Sequence, residues 1–462
     1  MAHPFPFHRS ALALAAFSAC SLSFAAAAQT STPNNPSPIT VTGRNDAVPA
    51  FSGFAPLAEG STPLQTQGFS NARLQDSGAT RVGDLVNLDA SVGNAYNAPG
   101  YWSLIAVRGY TLDNRFNYRR DGLPINAETA IALDNKAGVE LLKGSSGLQA
   151  GTSAPGGLVN FTVKRPVAAL RSATVGWREQ GSLLTAVDLS DRAGAEGQFG
   201  WRVNAAYEHL DPRVRDTQGH RRLVALAADW RLSAATLLEA EMEDSLQQQP
   251  SVTGFSLRGN NLPAASSIDP DLNLNRQPWN GPVRFAGRTA SLRLQQRLNE
   301  DWRLQAHAMA QRLKTDDRTA FPYGVYDANY ECPQWCDRFA PDGSFTYWQF
   351  TSLNERRNPD ALDLGARGRF NTGGLQHQVE AGVQFSRYRA RFEDQVFDIA
   401  GTGRDDGSLD TPPSAGFPDG NTNRTESSRE LYLRDAIQAG PWGLWLGLRH
   451  TRLERDSIRT RP

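Results

Sequence analysis

Two cysteines, Cys332 and Cys336, are the residues whose type and spacing most directly indicate chemistry in this sequence of 462 residues. Three residues separate them, and two thiols at that spacing can close a small disulfide loop in an oxidising compartment. A zinc site would need further ligands, and no histidine stands near the pair in the sequence. The spacing therefore predicts a disulfide rather than a metal or redox centre.

No motif marks a catalytic group. The seven histidines form no serine–histidine–aspartate pattern, and no pair of carboxylates stands in a motif typical of acid–base catalysis. The sequence thus predicts neither an enzyme nor a resident metal. Basic and acidic residues are balanced at 48 each, and no basic run stands out, which disfavours a nucleic-acid partner.

Residues 1–28 are predicted to be a signal peptide. A short polar start with Arg9 precedes a mostly apolar run from Ala11 to Phe24, and three alanines before Gln29 form a small-residue cleavage site. A membrane anchor is disfavoured because the run is too short to span a bilayer. A lipoprotein signal ending at Cys20 is the remaining alternative.

The composition and pattern of the rest of the chain change twice. Residues 29–38 are polar and proline-rich, a composition that cannot pack a core, and residues 29–48 are predicted to form a mobile tail. Residues 49–166 are mixed in character with glycine-rich turns, and they are numerous enough for one small α+β domain. Residues 167–462 alternate apolar with polar side chains in segments of roughly ten residues, which is typical of β-strands.

The alternation predicts strands with one apolar and one charged face, for example in residues 201–208, 238–243, 290–295 and 379–386. A soluble antiparallel sandwich also alternates, but it buries its apolar faces against each other. A membrane-spanning β-barrel instead turns its apolar face to lipid. The pattern of each strand leaves both interpretations open.

The connections favour the barrel. Tight turns at 299–301 and 371–374 alternate with long loops at 249–284 and 315–359, as in barrels with short turns on one side and long loops on the other. Tryptophan and tyrosine also cluster near the strand ends. About eleven such strands precede Pro462, whereas plugged outer-membrane transporters have about 22. The sequence therefore predicts about half of a barrel wall.

Five motifs in the segment before the barrel occur in a fixed order. They are Val107-Arg108-Gly109-Tyr110, Arg120-Asp121-Gly122-Leu123-Pro124-Ile125, Val139-Glu140-Leu141-Leu142-Lys143-Gly144, Gly151 with Ala154-Pro155-Gly156-Gly157-Leu158-Val159-Asn160, and Val163-Lys164-Arg165-Pro166. In order and spacing they resemble the plug domain of TonB-dependent siderophore receptors. The resemblance covers roughly residues 39–166. It departs from the family at Ser145, where proline is common, and it is loose over residues 51–68.

The resemblance implies a mainly β chain, with an N-terminal mixed α+β plug domain followed by a transmembrane antiparallel β-barrel of which about half the strands are present. It implies a receptor in the outer membrane of a Gram-negative bacterium. Such a receptor binds a ferric siderophore and imports it into the periplasm with energy from TonB and its inner-membrane complex. Iron would arrive within the siderophore, so no cofactor is expected, and the chain is expected to be a monomer in outer-membrane lipid.

Other functions remain open from the sequence. The chain could be a truncated, non-transporting ligand-binding relative. It could import another chelate, such as cobalamin or a copper complex, or an oligosaccharide. A secreted β-rich enzyme acting on polysaccharide would require clustered carboxylates, which no motif indicates.

The resemblance also assigns a role to the short β-prone segment formed by Ile39, Thr40, Val41 and Thr42. Its position matches the TonB box, an extended peptide that adds a strand to a sheet of TonB. An ordinary first strand of the plug is the alternative. Only ten residues separate it from the predicted cleavage site, so no additional signalling domain is expected before it.

By the same resemblance, the ligand would meet the plug at loops 94–102, 113–117 and 126–129. Aromatic rings stack on flat chelating groups, and cations offset the negative charge of many ferric chelates. The candidate ligand contacts are Tyr96, Tyr101, Trp102, Arg115 and Phe116. Packing of these side chains against barrel loops is the alternative.

Charged residues of the plug are expected to hold it in the barrel through ion pairs, because a polar interface can open reversibly. The plug residues are Arg108, Arg120, Glu140, Lys143, Lys164 and Arg165, and the expected wall partners include Arg202, Glu239, Glu241, Arg293 and Arg367. The glycines at 109, 122, 144, 156 and 157, together with Asp121 and Pro155, are expected to shape turns.

Overall fold

The computed structural model describes residues 64–461, apart from residues 97, 179, 415 and 417. The predicted signal peptide, the tail and the Ile39–Thr42 segment lie outside the described residues. Within the described part, no helix is both long and apolar enough to cross a bilayer.

Residues 64–166 fold into a small mixed domain, the N-terminal domain. Its elements are β1 (Gln65–Ser70), α1 (Asn71–Asp76), a 3-10 helix (Val82–Asn87), β2 (Val92–Tyr96), β3 (Leu104–Val107), β4 (Tyr110–Thr111), β5 (Tyr118–Arg120), β6 (Leu123–Pro124), β7 (Lys136–Lys143), α2 (Gly147–Ala150) and β8 (Gly157–Val163). The strands form one sheet in the order β1-β7-β8-β5-β6 and a second in the order β2-β3-β4.

Apolar residues from both of these sheets form the core of the domain. Phe69, Leu141 and Phe161 come from the first sheet, and Ile105 comes from the second. Helix α1 begins where the Ser70 side chain accepts a hydrogen bond from the amide of Arg73, which satisfies one of the amides left free at a helix start. The domain is thus held by its own hydrophobic core.

Gly157 is a position in this core where a side chain cannot fit. Its φ is +144°, and a Cβ there would lie 1.8 Å from the carbonyl oxygen of Leu142 on the paired strand. We expect Gly157→Ala to destabilise the domain by about 3 kcal/mol, because strands β7 and β8 must separate to admit the methyl group. The measurement is protease cleavage of the N-terminal domain as urea is increased.

Gly147→Ala is the matched control, because a Cβ at Gly147 would meet no atom within 4 Å and Gly147 begins helix α2. We expect it to leave the urea midpoint unchanged or slightly raised, since alanine favours a helix. Equal midpoints for the two variants would show that the close approach at Gly157 does not limit stability.

Residues 170–459 form one antiparallel sheet, the wall. Its strands are β9 (Leu170–Arg178), β10 (Ser182–Ala193), β11 (Phe199–Leu210), β12 (Gly219–Arg231), β13 (Thr236–Gln249), β14 (Val283–Arg297), β15 (Trp302–Pro322), β16 (Ser344–Thr372), β17 (Leu375–Arg391), β18 (Gln395–Arg404), β19 (Pro418–Asp419), β20 (Thr422–Ala439) and β21 (Trp442–Arg459). Eleven of them follow one another in the order β9 to β17, then β20 and β21, while β18 and β19 branch from β16. Among the described strands of the main path, β9 and β21 each have one neighbour.

The wall exposes its apolar face and buries its charged one. On β13, Met242 is 57% exposed, whereas Glu239, Glu241 and Glu243 are each 6% exposed. A soluble sandwich would show the reverse, since it packs its apolar faces together. The apolar face is therefore the outer face, turned toward lipid, and the charged face points at the N-terminal domain. This confirms the predicted barrel-type strands and excludes the sandwich.

Connections at one end of the wall are short. They are residues 194–198, 232–235, 298–301, 373–374 and 440–441. At the other end, the segments 250–282, 323–343 and 392–421 link the strands of the main path. We call these the short-turn end and the long-loop end, and their alternation agrees with the sequence prediction.

One expected loop is shorter than predicted. Residues 315–359 do not form a single connection, because β15 continues to Pro322 and β16 begins at Ser344. The two strands stay paired in this region, with Phe321 opposite Trp348. Residues 344–352 are rich in aromatic residues and threonine, which fit a pleated surface and extend the ladder beyond the alternating segment.

Candidate functional site

Arg120, at the end of β5, joins the N-terminal domain to the wall. Its Nε and Nη2 each donate to a carboxylate oxygen of Glu241 at 2.8 Å, and its Nη1 donates to Glu243 at 2.7 Å. Lys136 of β7 donates to the same Glu243 at 2.7 Å. All four side chains are buried. Since a buried carboxylate without a partner costs several kcal/mol, this charge cluster fixes how the domain sits against β13.

A second contact lies near the end of the domain, where the chain enters the wall. Lys164 donates to Asp188 of β10 at 2.9 Å. Arg165 contacts both Asp121 of its own domain and Glu239 of β13, the latter at 3.5 Å. These pairs anchor the end of the domain on strands β10 and β13.

Closer to the long-loop end, Arg221 of β12 links the N-terminal domain to the wall. It donates to Asp134 of the N-terminal domain at 2.6 Å and to the buried Glu208 of β11 at 2.5 Å. Although burial alone would raise it, the pKa of the Asp134 carboxyl is lowered by the Arg221 guanidinium. The interface is thus polar at several separate points.

At the long-loop end, four aromatic rings meet; we call them the apex cluster. Tyr101 and Trp102 lie 4.2 Å apart by ring centroids, Tyr96 is 6.1 Å from Tyr101, and Phe285 of β14 is 5.8 Å from Tyr101. The Tyr101 hydroxyl donates to Asp317 of β15 at 2.9 Å. Burial, and then the neighbouring Asp317 carboxylate, raises the pKa of Tyr101, so the phenol stays protonated and keeps this bond.

The other side of the apex cluster carries a cation. The Arg357 guanidinium of β16 lies over the Trp102 ring at 5.7 Å and over Phe392 at 5.0 Å. It also pairs with Glu128 of the N-terminal domain at 2.5 Å and with Glu355 at 2.9 Å. Stacking of a guanidinium on an aromatic face stabilises both groups and holds Trp102 in place.

A cavity of about 370 Å³ lies beside Tyr101, between the N-terminal domain and strands β9 to β13. Residues 77–82 and Ser103 form one side, and Glu208, Arg221 and Gln249 form part of the other. This volume falls in the range of small-molecule sites, which also combine apolar surface with a few placed polar groups. Of the apex cluster, Tyr101 lines this cavity, so a ligand held here would lie against the Tyr101 ring at the long-loop end.

The N-terminal domain also matches a known family by sequence. Residues 58–158 match the family model described as the TonB-dependent Receptor Plug Domain. These residues belong to the plug-domain family of the TonB-dependent receptors. The outward apolar face of the wall fits their place in the outer membrane of Gram-negative bacteria, and the N-terminal domain is the plug.

Two relatives illustrate the similarity. The metal-pseudopaline receptor CntO of Pseudomonas aeruginosa is 26% identical over 335 residues, which is 70% of this chain and 44% of that protein. The ferric-pyoverdine BN7/BN8 receptor of Pseudomonas putida is 24% identical over 356 residues, 72% of this chain and 40% of that protein. The chain therefore spans less than half the length of these relatives. Both are receptors rather than enzymes.

Solved structures show the same fold. BauA, the ferric preacinetobactin receptor from Acinetobacter baumannii, matches with a TM-score of 0.74 and 20% identity, covering 86% of this chain and 58% of that one. The ferric-catecholate import receptor Fiu of Escherichia coli, in its closed form, matches with a TM-score of 0.72 and 20% identity, covering 88% and 60%. These likenesses establish a plug with a surrounding wall.

Of the plug residues expected to pair with the wall, Arg120, Lys164 and Arg165 do so. Their wall partners include the expected Glu239 and Glu241. The expected Arg202 and Arg293 also join these contacts. Arg202 donates to the backbone carbonyl of Arg165 at 2.9 Å and shares Asp188 with Lys164, while Arg293 shares Glu239 with Arg165. Arg367 pairs with Glu380 of the adjacent wall strand at 2.8 Å.

Two other expected partners make contacts inside the plug. Lys143 pairs with Asp89 at 2.5 Å, and Glu140 accepts a hydrogen bond from Asn160 at 2.6 Å. Burial alone would raise the pKa of the Asp89 carboxyl, but hydrogen bonds from Lys143 and Ser91 lower it. Sequence reasoning could not separate these residues from Arg120, because the packing of β5 and β7 against the wall, which no local pattern specifies, decides which side chains reach it.

The five predicted ligand contacts fall into two groups. Tyr96, Tyr101 and Trp102 lie in the apex cluster. Arg115 instead pairs with Asp113 at 2.8 Å and lies over the Phe116 ring at 5.4 Å. The structure thus brings three of the five together, while Arg115 and Phe116 line a cavity of about 60 Å³ between the plug and strands β16, β17, β20 and β21.

The motif residues of the plug shape tight turns. Arg108 and Gly109 have φ of 52° and 83° between β3 and β4, and Asp121 and Gly122 have φ of 46° and 89° between β5 and β6. Positive φ at two successive residues is typical of the type I′ hairpin turn, which favours Asp-Gly. Asp121 also accepts a hydrogen bond from the Val163 amide at 3.1 Å, so it ties this hairpin to β8.

The structure joins Cys332 and Cys336 in a disulfide, in the loop between β15 and β16. Tyr326 donates to the Cys336 carbonyl at 3.2 Å from within the same loop. In the described part of the chain, no group of three or more His, Cys, Asp or Glu side chains could hold a metal ion.

Sequence reasoning missed the wall residues of the apex, namely Phe285, Asp317 and Arg357. Each belongs to a different strand, and only the pairing of the sheet brings them to the plug. The one available signal is their period-two position on the inward face, which Arg357 shares with Asp363, a buried residue of the same strand.

Proposed function

We propose that this chain provides the plug and part of the barrel wall of an outer-membrane receptor that binds a ferric siderophore at the cell surface. In this proposal the receptor imports the chelate into the periplasm with energy delivered through TonB. The observation that carries it is the apex cluster beside a cavity of about 370 Å³ at the long-loop end. The similarity to receptors for metal-pseudopaline and ferric-pyoverdine supports this ligand class.

Contacts of the apex cluster supply a route by which a ligand could alter the plug. Tyr101 and Trp102 belong to the plug, but they are held by Asp317 and Arg357 of the wall. A chelate that stacks on these rings would compete for those wall contacts. Binding can shift the plug only to the extent that the ligand contacts its two states differently. The apex is where such a difference would arise.

The polar interface suits a plug that must move. Arg120, Lys164 and Arg165 hold the plug through ion pairs, which water can replace once the contact opens. A continuous apolar interface of the same size would expose hydrophobic surface on every cycle. The ion pairs therefore support rearrangement under force rather than permanent fusion of plug and wall.

Capture by TonB is assigned to the segment Ile39–Thr42, on the basis of its sequence and its place before the plug. Strand addition depends on backbone amides, so proline should abolish it. We expect the double change T40P/V41P to weaken binding of a peptide spanning residues 36–45 to the periplasmic domain of TonB by at least about tenfold. The measurement is isothermal titration calorimetry.

The matched control is the swap T40V/V41T, which keeps both backbone amides and the β-prone composition. We expect this peptide to bind within about threefold of the parent. Equal binding by the proline peptide would show that the segment does not act by strand addition, and the role in energy coupling would then be assigned elsewhere.

Separate measurements of binding and uptake distinguish the proposed importer from a non-transporting ligand-binding relative. Cells producing the full chain are supplied with an iron-55 chelate, and surface-bound and internal radioactivity are counted. TonB-dependent internal counts support import. Saturable surface counts without internal counts would support the binding-only alternative. Competition by cobalamin or a copper chelate would point to another ligand class.

A further inference from the structure

The outer face of the wall carries a dense group of cations just beyond its apolar band, toward the long-loop end. They lie on five neighbouring strands of the wall, namely β15, β16, β17, β20 and β21. We call them the arginine patch. Its members are Arg312, Lys314, Arg356, Arg387, Arg389, Arg391, Arg429 and Arg452.

The period of two places the patch on the lipid side. Arg387 is two residues from Phe385, and Arg429 is two residues from Leu431. Phe385 and Leu431 are 43% and 55% exposed on the outer face. Side chains two residues apart in a strand share a face, so the patch continues the apolar face toward the long-loop end.

Positive charge is in excess within this area. Four carboxylates lie on this face within or beside the patch, namely Asp316, Asp360, Glu454 and Asp456. Asp316 lies 3.8 Å from Lys314, and Glu454 pairs with Arg452 at 2.8 Å. Asp360 contacts both Arg312, at 2.6 Å, and Arg389, at 3.3 Å. In the part of the chain that the structure describes, Arg356, Arg387 and Arg429 are exposed and have no carboxylate in ion-pair distance. Several cations are therefore available to an external anion.

The register of the sheet makes this charge unfavourable without such an anion. Arg356 stands directly opposite Arg391, and Arg429 stands directly opposite Arg452, whose charge Glu454 offsets in part at 2.8 Å. Like charges directly opposite each other on neighbouring strands destabilise the pairing. An anion bridging two guanidinium groups would convert this repulsion into charge-assisted hydrogen bonds.

An apolar groove lies immediately below the patch on the same face. It has a volume of about 570 Å³. Alanines at 306, 366 and 381 form a low strip across β15, β16 and β17, and larger side chains such as Leu364 and Leu431 border it. On β20, Leu431 is two residues below Arg429, a rise of about 7 Å. A chain descending from the patch would enter the groove directly.

We propose that the arginine patch and this groove form one binding site for a membrane lipid whose headgroup carries phosphate. The arginines bind the phosphate through bidentate hydrogen bonds, and an acyl chain fills the groove. Free phosphate would satisfy the charges but would leave the groove empty, so the paired features select a lipid. The inference rests on the place of the wall in the membrane and not on the proposed import of iron.

The test uses the full chain in dodecylmaltoside micelles with dioleoyl phosphatidic acid carrying a fluorescent acyl label as the probe. Anisotropy of the label reports binding, and labelled diacylglycerol with the same chains is the lipid without phosphate. We expect phosphatidic acid to bind at least about tenfold more tightly than diacylglycerol. The variant R356Q/R387Q/R429Q should lose that preference.

The matched control is R222Q/R288Q, which removes two exposed cations of the same face that share Asp244 on neighbouring strands. It should bind phosphatidic acid as the parent does. Ala381→Phe should fill the groove and weaken the lipid without changing competition by inorganic phosphate. Circular dichroism and thermal unfolding without lipid check the fold, and the triple variant should be at least as stable as the parent because repulsion is relieved.

Two outcomes would overturn the proposal. Equal phosphatidic acid binding by R356Q/R387Q/R429Q and by the parent would remove the patch from the site. Displacement of the lipid by inorganic phosphate at the same concentration as by unlabelled phosphatidic acid would show a general anion site with no role for the groove.

Discussion

Replacing Arg120 with methionine is expected to destabilise the docked plug by about 4 kcal/mol, the largest effect of any single change in this interface. The reason is that Glu241 loses both of its bonds to Arg120, while Glu243 keeps only Lys136 and Asn135. Removing one partner of a buried pair leaves an uncompensated charge, which typically costs 3–5 kcal/mol. Because the site is fully buried, water cannot reach and solvate this uncompensated charge.

The measurement is the urea concentration at which protease first cleaves the plug in the purified, detergent-solubilised chain. R120M/E241M is the informative comparison, because it removes Glu241 together with its cation and leaves Glu243 paired with Lys136. Replacing a buried ion pair by apolar groups of similar volume is often neutral. We therefore expect this double variant to recover most of the loss, a coupling that only directly interacting residues show.

A matched single change is available at Arg165, which is partly exposed and whose partner Glu239 also receives Arg293. R165M should cost about 1 kcal/mol or less, since water screens a partly exposed pair. Losses of similar size for R120M and R165M would show that burial of the charge does not determine the strength of the interface.

Trp102→Ala is expected to lower the affinity for a ferric siderophore by about 10- to 100-fold. Trp102 is held between Tyr101, Phe285 and the Arg357 guanidinium, so its ring is already ordered before a ligand arrives. Aromatic anchors held in place in this way dominate binding energy, with losses of about 2 kcal/mol or more on truncation. Removal would also leave Arg357 without one of its stacking surfaces.

Binding is measured by retention of iron-55 chelates on the immobilised chain, with ferric catecholate and ferric hydroxamate probes tested in parallel. The control is Trp177→Ala, because Trp177 is 70% exposed at the other side of the wall, on the outer face of β9. It should leave affinity unchanged. If the Trp102 variant also bound normally while the plug stayed folded, the ligand site would have to be moved away from the apex cluster.

The two groups of predicted ligand contacts make a further distinction in this assay. Arg115 already has a carboxylate partner in Asp113 and an aromatic partner in Phe116. A side chain so engaged has less to offer a ligand than Tyr96, which is 44% exposed beside Tyr101. Affinity should therefore depend more on Tyr96 than on Arg115.

Much of the architecture was readable from the sequence because its causes are local. Alternation with a period of two gave the strands and their two faces, since successive side chains of a strand point to opposite sides. Asp121-Gly122 predicted a tight turn because positive φ is cheap for glycine and tolerated by aspartate. The order of the five plug motifs identified the domain and the family by resemblance.

The prediction from local pattern was wrong where the pairing of two strands continues beyond the segment of alternating apolar and polar residues. The connection expected at 315–359 is shorter in the structure, because β15 and β16 continue to pair within that range, with Phe321 opposite Trp348. Aromatic and threonine side chains suit a strand whether or not polar residues separate them. Where a strand ends therefore depends on whether the neighbouring strand continues to pair with it.

Pairing across the molecule was decided only by the tertiary structure. Arg120 and Glu241 are separated by 121 positions in the chain, and nothing near either residue specifies the other. The same holds for Trp102 with Arg357. A shift of one residue in the register would turn every side chain of a strand to the other face. The sequence by itself determined which residues are charged, aromatic or apolar and that they alternate, whereas the register and packing of the sheet determined which of them meet.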